Sequence, residues 1–178
     1  MERDCAMNIL IVAIDHELQK VKRVHEASER AIRKDQLEAL LKQEIAERSV
    51  EFISEESDPK ASTIAHQLAD ACKPRIPWKN ICMSEDERKK AGIYEALKNR
   101  PTTFELREDG ETVLIERRIP EDEVYEASLI EQTKKSAGSA QSILILCGDL
   151  HVDSLKEKLE REGHHVDSHH SLVEKGSV

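Results

Sequence analysis

Two apolar runs, in "NILIVAID" at residues 8–15 and "QSILILCGD" at residues 141–149, constrain the fold of this chain more than any other feature in it. The first keeps six apolar residues in succession, Ile9 to Ile14, before Asp15-His16, and the second five, Ile143 to Cys147, before Gly148-Asp149. A strand with one wet face alternates apolar with polar residues, whereas a strand covered on both faces does not. Both runs therefore read as strands buried between two layers, and the long helical patterns elsewhere in the chain supply those layers.

The remaining segments fit that scheme. Residues 16–48 form one charged stretch without Pro or Gly, and Leu37, Leu40, Leu41 and Ile45 recur in it at helical spacing alongside Glu44 and Arg48. Its first half, 16–36, has a thin apolar face and reads as a separate helix or a mobile lid. A second strand over 49–57 ends in Glu55 and Glu56, and a short helix over 60–73 follows, with Ser62 as its cap and Ile64, Leu68 and Ala71 inward. "IPWKNICMS" is a third strand, placed near an edge by Pro77. Ser84 and Glu87 make a capping box for a helix that Pro101 closes at Arg100.

Asp109-Gly110, between two runs of β-formers, marks a surface hairpin or a long loop over 102–119. Pro120 and Gly138 frame the next helix, and "VDSLKEKLEREG" is another, followed by a short strand within 164–172. Strands alternating with helices predict an α/β domain over residues 1–178, with a mainly parallel sheet of about four to five strands and helices on both faces. Residues 168–178 read as a disordered tail.

Composition removes several classes of function. With a net charge of −9 and pI near 5.4, the chain is a poor general binder of nucleic-acid backbones. No apolar run approaches the roughly 20 residues of a membrane span, and "MERDCAMNILIVAID" has no signal-peptide pattern, so a cytoplasmic protein is expected. Cys5, Cys72, Cys82 and Cys147 form no CxxC pair and read as reduced thiols. Neither a Gly-rich phosphate loop nor a G-x-S-x-G elbow occurs. The charged segment at 16–48 is short for a coiled coil but leaves a homo-oligomer open, and His164, His165, His169 and His170 read as exposed surface.

Ligands of parallel sheets bind beyond the carboxyl ends of the strands. His16, Glu55, Glu56 and His151 all follow strands and would emerge on that rim, with Glu126 nearby on a helix. Two imidazoles and one or two carboxylates suit a divalent ion such as Zn²⁺, Mn²⁺ or Fe²⁺. His16, Glu56 and His151 are then the expected metal ligands, and Glu55 and Glu126 the expected proton-handling carboxylates.

The same residues resemble the TraB/PrgY/Tiki superfamily, which also takes in erythromycin esterase and ChaN-like proteins and is marked by two G-x-x-H motifs with acidic residues between them. Gly148-Asp149-Leu150-His151 matches the second motif, and Ala13-Ile14-Asp15-His16 is a degenerate first one. Glu55 and Glu56 match the acidic strand end. Tyr125-Glu126 stands where the family has an Arg-acidic pair, so Arg117 or Arg118 compensates only if the hairpin folds back. The resemblance implies a metal-dependent hydrolase or peptidase. Because Ala13 and the missing Arg depart from the pattern, it leaves as the alternative a non-catalytic module that binds a small ligand or a peptide or protein partner.

Overall fold

The computed structural model describes residues 6–14, 28–58, 60, 62–106 and 112–170. Five strands, β1 (Asn8–Ala13), β2 (Phe52–Glu55), β3 (Trp78–Asn80), β6 (Ser142–Cys147) and β7 (His165–His169), form one sheet in the order β3-β2-β6-β1-β7. Every pairing in it is parallel. The two apolar runs lie side by side in its middle, Asn8 opposite Ser142 through Ala13 opposite Cys147.

Alternation along these strands divides the core into two layers. Ile9, Ile11 and Ala13 of β1 and Ile143, Ile145 and Cys147 of β6 face Leu129 and Ile130 of α5 (Asp122–Ala137) and Val152, Leu155 and Leu159 of α6 (Asp149–Arg161). Leu10, Val12, Leu144 and Leu146 face the opposite way, onto Leu37, Leu41 and Ile45 of α1 (Ser28–Glu47) and Ile64, Ala65 and Ala69 of α2 (Ile64–Ala71). The continuous apolar pattern follows directly from this two-sided burial.

Three local expectations need correction. Thr63, not Ser62, caps α2, its hydroxyl accepting the His66 N–H at 3.2 Å; Ile64, Ala65 and Ala69 are buried and Leu68 packs half-buried against the core, whereas Ala71 is exposed. The helix expected from Ser84 to Arg100 is two helices, α3 (Glu85–Lys90) and α4 (Tyr94–Lys98). Its capping box is present at Ser84 and Glu87, but Gly92 adopts φ +72° and turns the chain between them. Ser168 and His169 belong to β7, opposite Ile11 and Val12, so the expected tail does not start at 168; residues 171–178 lie outside the described residues.

The hairpin is present as β4 (Thr102–Leu106) paired antiparallel with β5 (Thr112–Glu116), while its Asp109-Gly110 turn lies outside the described residues. So does 16–27, the greater part of the expected lid. Among the described residues, no helix is long and apolar enough to cross a membrane, and Cys72, Cys82 and Cys147 are free thiols.

Candidate functional site at the carboxyl end of the sheet

β6 ends at Cys147 and the chain enters α6 at once through Gly148, which takes an extended conformation at the cap position. His151 therefore sits in the first turn of a helix instead of a strand-end loop, its side chain buried against α5. Its Nδ1 lies 2.9 Å from Oε1 of Glu126, the fully buried carboxylate of α5. An ionised carboxylate can only accept hydrogen bonds, so Nδ1 carries the hydrogen, and Nε2 is left as the nitrogen that can offer a lone pair.

Glu126 collects donors from three directions. Arg118, just beyond β5, grips it bidentately at 2.6 and 3.2 Å, and Ser154 and Lys158 of α6 each reach Oε2 at 2.6 Å. Burial alone would push this carboxyl upward, but the bonds from His151, Arg118, Lys158 and Ser154 outweigh it and hold the pKa far below the usual carboxylate range. A carboxylate so occupied is a poor proton acceptor. Its chemical role is to fix the ring and tautomer of His151.

Of the two arginines at the end of the hairpin, Arg118 is the one that pairs with Glu126. Its guanidinium reaches Glu126 from the hairpin's root. A second clamp secures the same root. Arg100, beyond α4, binds both oxygens of the fully buried Asp122 at 2.8 and 2.5 Å, and Asp122 also accepts the Ile119 N–H at 2.8 Å.

Glu56 lies on the same face of the sheet. One oxygen accepts the Tyr125 hydroxyl at 2.7 Å, and the other accepts the Gly148 N–H at 3.0 Å, which places a carboxylate at the positive end of α6. The Tyr125 ring leans against the His151 ring, centroids 5.4 Å apart. Burial first, and the adjacent Glu56 second, push the phenol far above its ordinary pKa. Tyr125 therefore stays a hydrogen-bond donor at all working pH values and separates the two acidic centres.

Glu55 goes elsewhere. Adjacent residues of an extended chain project to opposite faces, so Glu55 points toward α2, where Oε2 accepts the Thr63 hydroxyl at 2.6 Å and the Trp78 indole N–H at 2.7 Å. The sheet lies between it and Glu126. Trp78 is itself stacked on His66, centroids 4.1 Å apart. Trp78→Phe keeps the ring and removes the N–H, and is expected to lower stability by about 1.5 kcal/mol. Urea denaturation followed by circular dichroism measures this, and a change within about 0.3 kcal/mol of zero would show that the bond adds nothing net.

The structure thus gathers Glu56, Glu126 and His151 around Tyr125, sends Glu55 to the other face, and leaves His16 outside the described residues. Among the described residues, no group of three His, Cys, Asp or Glu side chains is arranged to hold a metal ion. The C-terminal histidines act separately: His164 Nδ1 accepts the Met7 N–H, His169 meets Glu44, and His170 bridges Asp149 and Asp153. Ser154, Lys158, Arg100 and Asp122 were not anticipated. A signal existed for the first two, because His151, Ser154 and Lys158 share one helix face at i, i+3 and i+7. Comparison with family models, with curated proteins and with solved structures finds no match to this chain.

Proposed function

We propose that the rim around Tyr125 is the working site of a cytoplasmic hydrolase acting on a small molecule or peptide. The observation that carries this reading is the buried Glu126–His151 pair beside Glu56 at the carboxyl end of a parallel sheet. A carboxylate that orients an imidazole is the arrangement used both to prepare a general base and to orient a metal-binding histidine. In this scheme His151 handles the proton through Nε2, Glu126 is a positioning residue, and Glu56 is the second acidic group of the site.

Metal dependence is the version suggested by the likeness to the TraB/PrgY/Tiki superfamily. His151 and Glu56 are two donors, and a hydrolytic zinc site uses three protein ligands. The described residues do not complete such a set, so the metal version rests on His16. A bound divalent ion would supply Lewis acidity and an acidified water.

Calorimetric titration of tag-free protein with Zn²⁺ and Mn²⁺, together with a peptide, ester and phosphoester screen, tests both levels. Stoichiometric binding lost in His16→Ala/His151→Ala supports the metal version. Multiple turnovers lost in His151→Ala, with the melting transition retained, support the hydrolase. Turnover unaffected by His151→Ala rejects the site assignment. The second reading, a binding module without chemistry, is favoured by the occupancy of Glu56 and Glu126 by internal donors, and is supported by saturable ligand binding with no turnover.

A further inference from the structure

At the opposite end of the sheet lies an open basin of about 800 Å³, within the range of about 300–1,000 Å³ common to small-molecule sites. It forms where α1 and α2 both end and where β2 and β3 have not yet begun. Ile45, Val50 and Ile76 make its floor, and Leu68 and Cys72 are half-buried in its wall. This is an apolar concavity, with charge confined to its lip.

The charge on the lip has a sign. Lys42 comes from α1, and Lys73 and Arg75 from the loop after α2. The one acidic residue among them, Glu51, is turned to the Gln141 N–H, which it accepts at 2.5 Å. Lys42 and Arg75 each pair with a carboxylate, Glu38 and Asp70, that does not line the basin. On a chain carrying net −9, a cationic lip over an apolar floor selects by complementarity for an anion with a hydrocarbon body.

We propose that this basin binds an amphiphilic carboxylate, its alkyl chain on the Ile45, Val50, Leu68 and Ile76 surface and its head group at Lys73 and Arg75. This site is separate from the rim around His151, and its test does not depend on that reading. An acidic peptide would present its charges in a row, whereas Lys73 and Arg75, two residues apart in one loop, suit a single head group.

The experiment is calorimetric titration of the full chain with octanoate, decanoate and dodecanoate below their micellar concentrations, with dodecanol as the uncharged control. Affinity is expected to rise about two- to four-fold per added methylene, the transfer of a CH₂ out of water. Lys73→Glu/Arg75→Glu, both exposed positions, is expected to weaken dodecanoate by about ten-fold and to leave dodecanol unchanged. Ala71→Trp, an exposed site in the basin wall, is expected to weaken both, with an unchanged circular dichroism spectrum. Equal affinity for the alcohol and the acid, the absence of a chain-length trend, or binding insensitive to Ala71→Trp would each overturn the proposal.

Discussion

Replacement of Glu126 by Gln is expected to lower the unfolding free energy at pH 7 by about 3 kcal/mol, because it removes the buried negative charge that faces Arg118 and Lys158 and puts amide hydrogens where an acceptor oxygen stood. Arg118, Ser154, Lys158 and His151 all aim hydrogens at this carboxylate. The figure sits at the lower end for a broken buried pair, since the guanidinium of Arg118 is partly open to water. The pH dependence gives an independent check. The folded-state pKa of Glu126 is depressed below 4.5, so its contribution is complete above that value and is lost as pH falls toward the folded pKa. Wild type and Glu126→Gln should therefore converge in acid. Urea unfolding at pH 7 and pH 3 measures both limbs, and a gap that stays constant between them would show that ionisation of Glu126 does not stabilise the fold.

Arg100→Ala is expected to cost about 3–4 kcal/mol, because it strands Asp122 in the interior. Both partners are shielded, and the pair is bidentate. In the wild type, burial raises the Asp122 carboxyl, but the bonds from Arg100 and the Ile119 N–H overcome it, and the net direction is downward. Without the guanidinium the burial contribution is left opposed chiefly by the backbone bond, and the carboxyl moves upward relative to the wild type. A raised folded-state pKa favours folding at low pH and is lost as pH rises through it, so the deficit of the variant should shrink in acid. Adding Asp122→Asn to Arg100→Ala removes the stranded charge and should recover part of the loss at pH 7. No recovery, or a loss below about 1 kcal/mol, would place this pair with ordinary surface ion pairs.

The strands at the centre of the sheet were legible because burial on both faces leaves an uninterrupted apolar run. β7 was legible mainly by its position in the alternation, since "HVDSH" contributes the single core residue Val166. The break at Gly92 was hidden by the good helix formers on either side of it. At the site, Glu56 and His151 were legible as strand-following residues on one rim. The divergence of Glu55 from Glu56 follows from the two-residue period of extended chain and could have been read from their adjacency. The arrival of Arg118 at Glu126 depends on the turn that leads into α5, where Asp122 accepts the Ile119 N–H, which no periodicity encodes. Four polar partners converging on Glu126 of α5 from α6 and the root of the hairpin are a tertiary fact.

The place of β6 between β1 and β2 also governs when the fold can form. β1 and β2 do not touch one another as strands; each pairs with β6. On the ribosome, a nascent chain that has not reached residue 142 holds β1 without a partner, and β2 with only the three-residue β3. The apolar residues of β1 must wait through more than a hundred residues of synthesis for their neighbour, and that wait carries a high loop-closure cost. Assembly is consequently late and all at once, and an interrupted chain exposes "ILIVA" as an unpaired, aggregation-prone segment.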